Sequence, residues 1–168
     1  MVGTRSILER QLALVRGLTA HILIVGGDRS EVQPDDVRVV ADRIPGAGAL
    51  GGLYTALMEA PTEQVLVIAC DMPFLNAPFL AYVVDQGRDA DAAVPREARG
   101  RHPWCASYAR RVAVHLHRHI VAGHLRIGDA LVDLAVRELG PDELAPFDHD
   151  GRLLCNVNTP DDYDQARA

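Results

Sequence analysis

Two features of this sequence carry residue types that could do chemistry together. Gly46, Gly48 and Gly51 stand in the spacing G-x-G-x-x-G, inside the run Gly46-Ala47-Gly48-Ala49-Leu50-Gly51-Gly52, and Asp71 follows twenty residues after Gly51. Glycines so spaced let a backbone turn tightly and present N–H groups to phosphate, and an acidic residue about twenty positions on can hold a ribose hydroxyl. That fingerprint needs its first glycine directly after a strand. Here Asp42-Arg43-Ile44-Pro45 intervene, and Pro45 restricts Ile44 and ends the strand early. Two other readings stand beside it. The glycines could simply let a loop turn, or they could lead into a helix start that offers amides to a nucleotide, with a strand-end carboxylate holding a divalent metal through hard oxygen ligands.

Other residues offer weaker chemistry. His115 and His119 share a helix face at i, i+4 and could chelate a transition metal, but the segment holds no carboxylate or cysteine to complete the set. A solvated helix face is therefore expected for His115, His117, His119 and His124. Cys70 sits in an apolar run with no histidine close in sequence, so a buried packing cysteine is expected. Asp161, Asp162 and Asp164 follow Thr159-Pro160 and suit the first turn of a helix. Asn156 and Asn158, just before it, fit ligand contact or turn formation equally well by residue type. Trp104, the single tryptophan, fits core packing or the lining of a site.

The elements that must position these residues come from one chain of 168 residues, 48% apolar and 24% charged, read as a single domain spanning 1–168. The net charge is −6 and all 17 cationic residues are arginine. No lysine is present to act on a phosphate, and the acidic balance argues against nucleic acid as a partner. The longest apolar run, Val65 to Cys70, is far short of the ~20 residues that span a bilayer, so no membrane segment is expected. No charged-then-apolar leader opens the sequence, and three widely spaced cysteines fit a reducing cytosol, so a cytoplasmic location is expected.

Ser6 and Glu9 have capping-box spacing ahead of Leu8, Leu12 and Val15, which predicts a helix. His21 to Val25, Val37 to Ala41 and Val65 to Cys70 read as strands, the last as the most strongly buried in the chain. Helices are predicted for Leu53 to Ala60, from Asn76 and Pro78 through Val84, for Tyr108 to Val121, for Gly128 to Leu139, and from Thr159-Pro160. Ala92 to Val94 and Trp104 to Ser107 are weaker strands, and Asp142 to Arg152 reads as a loop. Apolar strands alternating with helices indicate an α/β domain with a mainly parallel sheet. Ligands then bind beyond the carboxyl ends of the strands, where Gly26-Gly27-Asp28, Asp42 through Gly52 and Asp71 fall.

Those same residues resemble the molybdenum cofactor guanylyltransferase family. Asp42 through Gly52 is similar to its D…G-P-L-G-G segment, Ala69-Cys70-Asp71-Met72-Pro73-Phe74 to its C-D-x-P, and Asn156-Val157-Asn158-Thr159-Pro160-Asp161 to its N-V-N-T-P. His102-Pro103 with Ser107, Leu125-Arg126-Ile127, and Gly3 to Arg10 resemble weaker stretches, in the same order. The resemblance implies a Rossmann-like three-layer nucleotidyltransferase that moves GMP from GTP onto molybdopterin carrying molybdenum, with Mg²⁺ as cofactor. It makes Asp71 the catalytic metal ligand. Asp42, Gly48, Leu50, Gly51 and Gly52, with Asp28 as a neighbour, would hold the guanine nucleotide. Asn156, Asn158 and His102 would face the pterin.

The sequence also departs from that pattern. The family's opening strand and its L-A-G-G-x-S-x-R-M-G-x-D-K phosphate loop are missing from these residues, and with them the lysine and most triphosphate donors. The expected sheet has an apolar slot where a central strand would lie. A second copy could fill it, as a homo-oligomer or a strand-swapped dimer. Arg5 and Arg43 are candidate substitutes for the lost charge. Three alternatives remain: a catalytically impaired relative that binds nucleotide, pterin cofactor or a partner; a cytidylyltransferase or other NTP transferase of the same fold; and a nicotinamide oxidoreductase.

Overall fold

The structure is a computed structural model that describes residues 6–26 and 36–157. Its first helix, α1 (Ile7–Val15), begins where the capping spacing places it. Ser6 Oγ accepts the Glu9 N–H at 3.2 Å, and the Glu9 carboxylate accepts the Ser6 N–H at 2.6 Å. β1 (Ile22–Val25) and β2 (Val37–Val40) then pair in parallel, Ile22 opposite Val37.

α2 (Gly48–Glu59) connects β2 to β3 (Gln64–Ile68). A helix between two strands is the usual crossover to a parallel neighbour, so the start of α2 lies at the carboxyl ends of the strands. α2 starts five residues earlier than the sequence suggests and takes three glycines into its first turns. Each glycine costs about 1 kcal/mol against alanine in a helix. Packing requires at least one of them. A Cβ on Gly51 would lie 2.8 Å from Ala47 Cβ and 3.2 Å from the Ile44 carbonyl, so the incoming loop packs directly on this turn.

α3 (Ala77–Gln86) is capped by Asn76, whose Oδ1 accepts the Phe79 N–H at 3.0 Å. It buries Phe79, Leu80 and Val83 completely, each worth roughly 1.5–3 kcal/mol. The larger sheet runs β3, β6 (Cys105–Ala109), β4 (Ala92–Glu97), with β5 (Gly100–Arg101) hairpinned on β4 and β7 (Val136–Leu139) parallel to it. β3, β4 and β7 point the same way, and β6 runs antiparallel between β3 and β4. A 3₁₀ turn (Arg110–Val112), α4 (Ala113–Val121), α5 (Ile127–Leu131) and the short α6 (Pro141–Leu144) complete the described elements.

Side chains alternate across β3. Val65 and Val67 join Leu50, Leu53, Leu57, Tyr108 and Leu116 on the face covered by α2 and α4. Leu66 and Ile68 join Phe79, Leu80, Val83 and Leu139 on the face covered by α1 and α3. The result is the expected three-layer α/β sandwich.

Several expectations need correction. β3 is only half-buried along its whole length, whereas β6 and the first four residues of β4 are buried. The reason is an open edge. Among the described residues β3 pairs with β6 on one side only, β1 pairs with β2 on one side only, and β1 and β3 do not pair with each other. α2 lies against both strands, so their free edges face one interval. α1 bridges the same interval: Arg16 pairs with Asp36 before β2 at 2.6 Å, and Gln11 reaches the end of β3. Among the described residues no strand fills it.

Tyr108 belongs to β6 and not to a helix, and the stretch Gly128 to Leu139 splits into the short α5 and the strand β7. In β7, Val136 pairs opposite Ala92 and Leu139 opposite Pro95, so pairing with β4 makes a strand of residues that the sequence reads as helix. Part of the expected loop 142–152 forms α6. The helix expected from Thr159-Pro160 lies outside the described residues.

Candidate functional site at the carboxyl edge of the sheet

The crossover from β2 through α2 to β3 brings Asp42, the start of α2 and Asp71 to one edge. No side chain caps α2 among the described residues, since Ala47 occupies the N-cap. The amides of Gly48, Ala49 and Leu50 therefore point outward at the positive end of a twelve-residue helix. Gly48 adopts φ +58°, a left-handed conformation that favours glycine. Leu50 offers this edge only its amide: its side chain is fully buried beside Leu53 and Leu57. Gly51 is equally buried and acts by letting the loop close. Gly52 leaves the Asp42 carboxylate room beside the helix, where a Cβ would meet Asp42 Oδ1 at 3.8 Å.

The far end of α2 is also tied down. Glu59 accepts from Arg43 Nε at 2.8 Å and pairs with Arg38. Chiefly through Arg43, this holds its carboxyl below the usual range. Thr55 Oγ1 accepts the Arg43 N–H at 3.0 Å and donates to the Gly51 carbonyl at 2.8 Å. Arg43 is thus directed towards the helix C-terminus and away from the edge that would need its charge. Arg5 lies outside the described residues.

Asp71 follows β3 in a turn held from two sides. Gln11 Nε2 donates to the carbonyls of Ala69 at 2.8 Å and Met72 at 3.1 Å. The Val157 N–H donates to the Asp71 carbonyl at 2.8 Å, which sets Asn156 beside this turn. The Asp71 side chain is treated differently: Oδ1 is buried and has no hydrogen-bond partner among the described residues. A buried carboxylate oxygen left unpaired is costly, and one at a strand end marks a place for a cation or donor.

His102 reaches the same edge, because the Ala69 N–H donates to the Trp104 carbonyl at 2.7 Å. Its Nε2 is 2.8 Å from Glu97 Oε2, so the ring is already engaged. Trp104 packs half-buried against the α2-side core. Asp28 and Asn158 lie outside the described residues, as do Asp161, Asp162 and Asp164. Cys70 is exposed, contrary to expectation, because β3 ends at Ile68 and places it in the turn. Cys105 is the buried thiol, and burial pushes its pKa up to about 12. The histidines do not form a uniformly solvated face either: His117 and His124 are exposed, His115 and His119 half-buried. Gln11 was not legible as a site residue, since nothing in the N-terminal helix pattern marks it as the clamp on the Asp71 turn.

A three-layer α/β sandwich with an open helix N-terminus and an unpaired carboxylate on one strand-end edge defines an α/β protein with its candidate ligand site beyond the carboxyl ends of the strands. More specifically, residues 1–133 match the MobA-like NTP transferase domain, and the chain belongs to that family of nucleotidyltransferases. This sets the nicotinamide reading aside. The chain is 35% identical over 166 residues to the "Probable molybdenum cofactor guanylyltransferase" of Chloroflexus aggregans, covering 96% of this chain and 79% of that one. It is 27% identical over 169 residues to the molybdenum cofactor guanylyltransferase of Desulfosudis oleivorans, covering 100% and 84%. The crystal structure of molybdopterin-guanine dinucleotide biosynthesis protein A from Archaeoglobus fulgidus superposes with a TM-score of 0.85 at 26% identity, covering 99% and 86%. The 2-C-methyl-D-erythritol 4-phosphate cytidylyltransferase of Thermus thermophilus, at 18% identity and a TM-score of 0.74, shares the fold.

Proposed function

We propose that this protein is a cytoplasmic molybdenum cofactor guanylyltransferase, which transfers GMP from GTP to molybdopterin carrying molybdenum and releases pyrophosphate. At the level of chemistry the observation that carries this reading is Asp71, whose Oδ1 is buried and unpaired at the end of β3. An acceptor-only oxygen suits a hard cation, so Asp71 is the residue that would hold Mg²⁺. When bound, that ion would supply neutralisation of the triphosphate and of the leaving pyrophosphate.

The acceptor phosphate oxygen forms a bond to the α-phosphorus of GTP while the bond from that phosphorus to the β-phosphate bridging oxygen breaks. Both reactants are anions, so the protein's contribution is alignment and charge compensation. The amides of Gly48, Ala49 and Leu50 hold nucleotide oxygens at the positive end of α2. Asp42, beside Gly52, accepts hydrogen bonds from the guanine or ribose, and Asp28 is a further nucleotide-binding residue in this reading. Asn156, set against the Asp71 turn, orients the pterin substrate together with Asn158 and His102.

The free edges of β1 and β3 suit one more parallel strand, and a second copy exchanging structure in a homo-oligomer would supply it. Neither nucleic acid nor membrane is a partner in this reading. No helix among the described residues is long and apolar enough to cross a bilayer.

A second reading rests on Arg43, which is committed to Glu59, and on the lack of lysine: a relative that binds nucleotide, pterin cofactor or a partner without turning over. Pyrophosphate release from GTP in the presence of Mg²⁺ and molybdenum cofactor separates the two. Release with GTP and not with CTP supports guanylyl transfer. GTP binding without release supports the second reading, and release with CTP alone makes it a cytidylyltransferase.

A further inference from the structure

His115 and His119 lie one turn apart on α4, with ring centroids 4.7 Å apart. The carboxylate their own segment lacks is supplied by the fold. α5 packs against α4, and the turn after it carries Asp133 to the histidine face. One nitrogen from each ring and one Asp133 oxygen lie within 4.8 Å of one another.

Two further observations point to a ligand. His115 Nε2 is 2.9 Å from the Ala130 carbonyl. A carbonyl only accepts, so Nε2 carries the proton and Nδ1 keeps its lone pair, the arrangement that orients metal-binding histidines. His119 Nδ1 is buried and has no hydrogen-bond partner among the described residues.

We propose that His115, His119 and Asp133 form a binding site for a divalent transition-metal ion, with Zn²⁺ the best match. Two imidazoles and one carboxylate are a nitrogen–oxygen set for such an ion and leave a fourth position for water. Mg²⁺ prefers an octahedral shell of oxygens and is disfavoured here. Tetrahedral ligands at about 2.1 Å from zinc stand roughly 3.4 Å apart, so closure from the present spacing asks for a shift of about an ångström, available to the exposed Asp133.

The site sits near the start of β7. Val136 is level with Ala92, which pairs with Tyr108 opposite Val65, so this is the sheet end remote from Asp71. A bound ion would fasten α4 to the α5–β7 connection, where α5 has five residues and no side-chain cap.

The test is calorimetric titration of the metal-stripped protein with Zn²⁺, alongside thermal melts. One equivalent should bind and raise the melting temperature. Affinity should fall about tenfold or more in His119→Ala and in Asp133→Asn. His117→Ala, whose ring lies against Tyr54, should bind like the wild type. Melts without metal report whether each variant is folded. No Zn²⁺ binding overturns the proposal. So does unchanged affinity in His119→Ala and Asp133→Asn, which would place the ion at the exposed thiols of Cys70 or Cys155.

Discussion

The main-chain N–H of Val157 donates to the carbonyl oxygen of Asp71 at 2.8 Å. One hydrogen bond thus joins the segment carrying Asn156 to the turn carrying the unpaired carboxylate, although 86 residues separate the two partners in sequence. Gln11 holds the other side of the turn. The turn that carries the carboxylate is therefore held through its backbone carbonyls from two sides.

Gln11→Leu should show this. It removes two donors and leaves the carbonyls of Ala69 and Met72 unpaired, a loss of about 1–3 kcal/mol. Urea unfolding measures it, and nucleotide affinity should fall with it. Stability within about 0.5 kcal/mol of the wild type would mean the clamp is not needed.

Gly51 and Gly52 should answer differently to alanine. Gly51→Ala drives a Cβ to 2.8 Å from Ala47 Cβ and should cost about 1–3 kcal/mol. Gly52→Ala meets only Asp42 Oδ1 at 3.8 Å and should gain about 0.5–1 kcal/mol from helix propensity. Opposite shifts in melting temperature are expected. Shifts of the same sign would refute the packing of loop 41–47 on α2.

Acid should weaken the C-terminal end of α2 through Glu59. Arg43, then Arg38, lowers the Glu59 pKa in the folded protein, so Glu59 contributes stability that is complete above its unfolded value near ~4.3 and is lost as pH falls through the lower folded value. Glu59→Gln removes that dependence. Urea midpoints from pH 6 down to pH 3 should fall less steeply in the variant, and parallel profiles would show that the pair is idle.

Thiol chemistry checks the position of Cys70. Cys70 and Cys155 are exposed, while the Cys105 thiol is buried with its pKa pushed up to about 12. A disulfide reagent should titrate these two thiols in the native protein and Cys105 only after denaturation. Fast reaction at Cys105 would contradict the packing of β6.

The sequence made α1, α3, β1 and β2 legible because their signals are local: a Ser6–Glu9 box, an Asn76 cap, apolar runs stopped by glycine or aspartate. It did the same for Asp42 and Asp71, since both stand at strand ends. What it hid depends on distant partners. β7 reads as helix until β4 pairs with it, and β6 reads only as a weaker strand that stops at Ser107, because Cys105, Ala106, Ser107 and Ala109 are small. The early start of α2 is set by Ile44 and Ala47 closing on Gly51, against glycine's own propensity. Asp133 joins His115 and His119 only when α5 packs on α4. The half-burial of β3 reflects an unpaired edge, which no property of its own five residues announces.

Asp71 can be tested most directly by titrating the protein with GTP, with and without Mg²⁺, in wild type and Asp71→Asn, using CTP and NAD as controls. Binding of GTP that requires Mg²⁺ in the wild type and is lost in a folded Asp71→Asn variant is the predicted result. Equal affinity of the two proteins for Mg²⁺-GTP would contradict the assignment of the unpaired Asp71 oxygen to the metal.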